Sequence, residues 1–146
     1  MNIPFMSSGG EILIHLDNFK VRCKPGERVS GRVELRRSGA VHARAFTIEL
    51  GCYEFVDVSC GSGKHRRRRT EWNALYSKAF ALGGETDYSS CTRAFEFTIP
   101  QDTPPSVIQH PGDEQMRGAG VKWRLHAKLD VPWGSDANCM KTIYVD

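Results

Sequence analysis

Between Cys60 and Trp72 the chain reads CGSGKHRRRRTEW, and the five cations Lys64, Arg66, Arg67, Arg68 and Arg69 are its strongest concentration of chemistry. Arginine forks match paired oxygens, so such a run suits phosphate, an acidic protein surface or anionic lipid headgroups. The competing reading is a solvated hairpin tip kept in water by its own charge. Trp72 and Tyr76 follow the run directly. Aromatic rings interleaved with arginine can stack on nucleic-acid bases. Their spacing equally suits the inner face of a strand, and core packing is the expectation for both.

Other chemistries find no footing. Gly61 to Lys64 spells GSGK, but a phosphate-binding loop would need glycine where Val58 stands and serine or threonine where His65 stands. The histidines at 15, 42, 65, 110 and 126 are scattered, and no pair has helical or zinc-finger spacing. The five cysteines, Cys23, Cys52, Cys60, Cys91 and Cys139, include no CxxC pair, so each is expected to act as a small buried hydrophobe. A metal held by Cys60 and His65 would lack the ligand spacing such sites show. No Gly-x-Ser-x-Gly elbow is present. Catalytic, cofactor and metal residues are therefore all assigned as none, and the protein is read as not an enzyme.

With 146 residues, 40% apolar and 25% charged, the chain has the size and composition of one ordinary globular domain. The net charge is +3, yet the basic run alone carries five positive charges, which leaves the remainder at −2. A basic footprint over the whole domain, as nucleic-acid binding usually requires, is thus not indicated. The N-terminus lacks the basic and long apolar regions of a secretory signal, and no apolar run approaches the roughly 20 residues of a spanning helix. Free thiols in a cytoplasmic protein are expected.

Strands must position these residues. Residues 1–10 read as a flexible start, and 11–146 as one domain. From Lys24 to Arg36, KPGERVSGRVELR, a Pro-Gly corner opens an alternating strand with Val29, Gly31, Val33 and Leu35 on one face. Before it, alternation through Ile12, Ile14 and Leu16 changes phase near Asn18, as a turn or bulge would produce, so that Phe19, Val21 and Cys23 continue on the other parity. Phe46, Ile48, Leu50 and Cys52 share an inner parity, and Glu54 on that parity predicts that the strand leaves the core near Gly51. Residues 59–70 are expected to form an exposed basic loop.

Phe95, Phe97 and Ile99 predict a further inner face, ended by Pro100 and then by Pro104-Pro105. Gln109 to Gly120 reads as a second loop. Val121, Trp123, Leu125, Ala127, Leu129 and Val131 predict the central strand, Pro132 to Asn138 a turn, and Lys141 to Val145 a short last strand. No window has helical periodicity. The sum is an all-β, antiparallel, immunoglobulin-like β-sandwich of about seven to eight strands with little or no helix.

Four segments, in order, resemble the arrestin N-terminal-like domain family of trafficking adaptors and bacterial sporulation-control proteins. They are ILIHLDNFKVRCKPGERVSGRVEL, ARAFTIELGCYE, FEFTIPQDTPPS and VKWRLHAKLDVPW, together spanning almost the whole chain from Ile12 to Val131. The resemblance implies half of an arrestin and a role as adaptor or scaffold. Members usually carry two sandwiches in tandem, and this chain has room for one. It has no adjacent-lysine pair in the first strand, so receptor-phosphate sensing is not carried over. Pro104-Pro105 is followed by Ser106 and Val107, which is no PPxY motif.

The expected function is a non-enzymatic protein-interaction module without cofactors. Its partner is a protein met through loops, above all Lys64 to Arg69, or a second copy of the chain joined at sheet edges. The alternative is an anion- or nucleic-acid-binding β-domain whose whole site is that basic loop.

Overall fold

The alternation from Arg28 to Arg36 is a strand in the computed structural model, which describes residues 10–60, 64, 67–104, 106–109 and 116–146. Val29, Gly31, Val33 and Leu35 are all buried, as period-two patterning requires. In chain order the strands are β1 (Glu11–Leu16), β2 (Arg22–Cys23), β3 (Arg28–Arg36), β4 (Val41–Ala43), β5 (Ala45–Cys60) and β6 (Arg67–Gly83). They continue as β7 (Thr86–Tyr88), β8 (Cys91–Thr98), β9 (Val107–Gln109), β10 (Met116–Asp130) and β11 (Ala137–Val145). Four of these, β2, β4, β7 and β9, have only two or three residues, so seven long strands build the domain.

A small sheet in the order β1-β3-β8 faces a large one in the order β2-β11-β10-β5-β6, with β9 also on β10 and β4 paired to β7. All pairings are antiparallel except β2 with β11. The inner faces meet in one apolar core that includes Phe46, Ile48, Leu50, Trp123, Leu125 and Ile143, each fully buried. Rings close the gap between layers: Phe80 of β6 lies 6.1 Å from Phe97 of β8, and Phe46 of β5 lies 5.6 Å from Tyr88 of β7. The indole of Trp123 donates to the Pro104 carbonyl at 2.9 Å, so its buried N–H is satisfied. The architecture is the all-β sandwich that the alternation predicts.

Several boundaries differ from the reading of the sequence. The phase change near Asn18 is a single 3-10 turn over Asp17–Phe19, with left-handed φ at Asn18 (57°) and Phe19 (53°). Phe19, which alternation groups with Val21 and Cys23 on one parity, is turned into solvent, and only from Val21 to Cys23 does the chain return to the core. Gln109 lies in β9 and Met116 to Gly120 in β10, so every described residue of the expected loop from Gln109 to Gly120 is strand; residues 110–115 lie outside the described residues. β11 begins at Ala137, four residues before the strand expected there, because Ala137 to Met140 pair with Leu129 to His126. The flexible start assigned to residues 1–10 falls, except for Gly10, outside the described residues.

Gly31 stands opposite Leu16 in the β1–β3 ladder, and a Cβ there would drive into the backbone carbonyl of His15. Alanine in place of a strand glycine ordinarily stabilises by about 0.5–1 kcal/mol. At Gly31 the sign should reverse: Gly31→Ala is expected to lower the urea midpoint by the equivalent of at least ~1 kcal/mol. An unchanged or raised midpoint would contradict so close an approach of β1 to β3.

His42 of β4 holds Asp87 through Nδ1 at 3.0 Å and Glu85 through Nε2 at 2.9 Å, tying β4 to the turn before β7 and to β7 itself. The hydrogen bonds to Glu85 and Asp87 raise its pKa above the ordinary 6.5. A raised folded pKa means that the stabilisation is complete below the unfolded value and is lost as pH rises through the folded one. Stability should therefore decline from about pH 6.5 upward in the native chain and lose that component in His42→Gln. Identical pH–stability profiles for the two proteins would refute the linkage.

Candidate functional site

The strands of the small sheet have six to nine residues, whereas β5, β6 and β10 have 15 to 17. A sandwich layer covers only its own length, so the excess of the large sheet projects as an arm of β5, β6 and β10, with the short β9 on β10 at its base. Within it β5 pairs with β10 from Glu54↔Val121 to Val58↔Met116, and with β6 as far as Cys60↔Arg67. The core therefore ends at Cys52, close to where Glu54 signals it. The strand itself continues, with the ring of Tyr53 covering Gly51.

The arm begins at a bulge. Cys52 pairs with Tyr76 and Tyr53 with Ala74, so the register skips Leu75, and the β6 side chains beyond it change faces. Tyr76 stays half-buried with its ring 5.9 Å from Trp123, in line with core packing. Trp72 does not: it is 50% exposed and packs on the arm, 5.3 Å from Phe55 and 6.4 Å from Tyr53. Its expected core position is corrected by the bulge, which sequence alternation alone does not reveal. Arg124 lies 4.3 Å over the face of Tyr53, whose hydroxyl donates to Glu49 at 2.9 Å, so the base of the arm is braced by a cation, a ring and a carboxylate.

Beside the arm lies a groove of about 830 Å³, within the size range of ligand pockets. Phe55 and Trp72 form one wall and Tyr144 of β11 is part of another. Arg22 crosses the rim, 5.3 Å over the Tyr144 ring and ion-paired with Asp146 at 3.2 Å. Asp57 accepts the Thr70 hydroxyl at 2.5 Å. Lys122, half-buried in the lining, has no hydrogen-bond or ion-pair partner among the described residues. No single stretch of sequence marks this groove, because its walls come from β2, β5, β6, β10 and β11.

The basic run lies at the arm's end. Arg67, Arg68 and Arg69 were expected in a loop over 59–70, yet they occupy ladder positions opposite Cys60, Ser59 and Val58. Strand pairing thus continues into the charged segment from both sides and narrows the connection. Lys64 is exposed, and Arg69 is exposed and ion-paired with Glu71 at 2.8 Å. Arg66 lies outside the described residues, as do the side chains of Arg67 and Arg68.

The remaining reactive groups are thiols and imidazoles on separate strands. Cys23 and Cys52 are buried, Cys91 and Cys139 half-buried, and all four are free thiols. Burial pushes the Cys52 thiol up to about 11 and raises that of Cys23, which removes the thiolate a nucleophile needs. His15 pairs with Glu34 and His126 with Asn138, both at 2.8 Å. His65, His110 and the side chain of Cys60 lie outside the described residues. Among the described residues no three histidine, cysteine or acidic side chains are placed to hold a metal, and no helix is long and apolar enough to cross a membrane.

Comparison with known proteins places this geometry. The model of the arrestin (or S-antigen) N-terminal domain matches residues 12–145. The solved structure of Spo0M, a sporulation control protein from Bacillus subtilis, matches with a TM-score of 0.61 at 22% identity, over 93% of this chain and 49% of that one. The chain spans about half the length of that protein, and at this identity the likeness is one of fold. No curated protein matches the chain.

Proposed function

Because the chain belongs to the arrestin N-terminal domain family, we propose that it is a non-enzymatic protein-interaction module, an adaptor or scaffold that presents the β5–β6 arm to its partner. The observation that carries this reading is the arm itself, an extension past the last buried position of β5, Cys52, whose ladder carries Arg67 to Arg69, with Lys64 and Arg66 beside them in the sequence. Lys64 is exposed there, and charge on such a surface sets encounter rate and partner choice with an acidic protein. Four free thiols support a reducing, cytoplasmic setting. The unpaired outer edge of β6, last in its sheet, supports a second copy of the chain as a further partner.

One observation favours a second reading. Trp72 stands half-exposed on the strand that carries the arginines, where a base could stack. On that reading the arm binds nucleic acid, with steep salt dependence and little selectivity.

Replacing Arg66 to Arg69 with serine separates these cases. The variant should keep the melting temperature of the native chain and lose retention on immobilised polyglutamate, with affinity reduced by about tenfold or more. Equal retention of both proteins across a salt series would remove the arm from the mechanism. Gel shifts with unrelated nucleic acids at two salt concentrations test the alternative, and tight, sequence-indifferent complexes that dissolve in high salt would favour it.

A further inference from the structure

Trp133, in the turn from β10 to β11, is the most exposed large apolar residue among the described residues, and its backbone is left-handed with φ at 61°. Bulky side chains are rare in that region, because their Cβ crowds a carbonyl. The turn is nevertheless braced: Val131 N–H donates to Asp136 at 2.7 Å, Asp136 also pairs with Lys128 at 3.4 Å, and Pro132 fixes the backbone ahead of the indole. A ring held outward at such cost is suited to anchoring another molecule. The charges around it cancel, Asp136 with Lys128 and Asp130 with Arg44, so the turn lacks the surplus of cations that an anionic membrane attracts.

The groove beside the arm has matching chemistry. Its walls expose the rings of Phe55, Trp72 and Tyr144, and its lining charges balance, Arg22 and Lys122 against Asp57 and Asp146. A neutral aromatic guest fits such a lining, and the two carboxylates keep lone pairs for an indole N–H. Lys122 in the groove and Asp130 before the turn are separated by about 26 Å of β10 at ~3.3 Å per residue, so a chain cannot fill its own groove. We propose that Trp133 of one copy inserts between the groove rings of the next, joining chains head to tail through opposite ends of the β10–β11 hairpin. Knob and socket are different surfaces, so association continues past two unless the rotation closes a ring. One inserted indole buries about 150–250 Å², far below a stable interface, so the contact is weak, on the order of 100 μM, and serves where a scaffold is already concentrated. It uses neither the arginines nor the edge of β6 and stands apart from the reading of the arm.

Sedimentation velocity of the intact chain from about 10 μM to about 1 mM tests the contact. The average mass should rise with concentration and pass that of a dimer. Trp133→Gly should stay monomeric with a melting temperature no lower than the native chain's, since glycine accepts the left-handed turn. Trp72→Ala should also stay monomeric, and Tyr144→Ser takes its place should that variant fail to fold. Phe19→Ser removes a comparably exposed ring elsewhere and should associate like the native chain. An equimolar mixture of Trp133→Gly, which keeps the socket, and Trp72→Ala, which keeps the knob, should form a one-to-one dimer and nothing larger. A native chain that stays monomeric, association that survives Trp133→Gly, or a mixture that stays monomeric would overturn the proposal, and a lowered melting temperature in Trp133→Gly would assign the ring to the fold instead. Retention of Trp133→Gly on polyglutamate should equal that of the native chain, which keeps this result separate from the test of the arm.

Discussion

The unequal length of the two sheets is the constraint on which the rest of the structure depends. β1, β3 and β8 can shield only as much of the large sheet as they span, and within that span every inward position of β5 and β10 is buried. Beyond it, hydrogen bonding between strands continues without a second layer to exclude water. A sheet in that situation keeps its backbone satisfied but loses its hydrophobic reward. The arm therefore has to be held by other means.

Those means are local and lie on its own faces. Tyr53 is clasped between Gly51 and the guanidinium of Arg124, while Trp72 leans on Phe55 across the β5–β6 ladder. Aromatic and cation–π contacts contribute roughly 0.5–2 kcal/mol apiece, much less than full core burial of the same rings. They suffice to order a ribbon yet leave its surface uncovered. A binding element has those needs, and two of the rings that brace the arm, Phe55 and Trp72, also line the groove.

Much of this was legible in the sequence, and what was not has a physical cause. Core positions such as Val33, Phe46, Trp123 and Leu125 follow from alternation, because two-sided burial imposes period two wherever both layers are present. Trp72 obeys the same pattern in the sequence yet is half-exposed, because the skip at Leu75 exchanges faces within the strand and sets it beside Tyr53 and Phe55. Phe19 escaped because a single turn with two left-handed residues leaves no compositional trace beyond Asp17-Asn18. The basic run announced itself, but the groove did not: five strands contribute to it, and only tertiary structure brings them together.

The parallel pairing of β2 with β11 has a consequence in time as well as space. Arg22 pairs with Tyr144 and Cys23 with Val145, so a strand near the start of this sandwich is completed by β11, more than a hundred residues later in the sequence. A ribosome releases the sandwich's first hairpin long before its partner in the large sheet exists. Until then Cys23 and the inner face of β3 have no opposite layer complete enough to bury them. Closing such long loops is slow, on the order of milliseconds to seconds for β-sandwiches, and leaves apolar strands uncovered meanwhile. The order of the strands along the chain thus sets when the core can close.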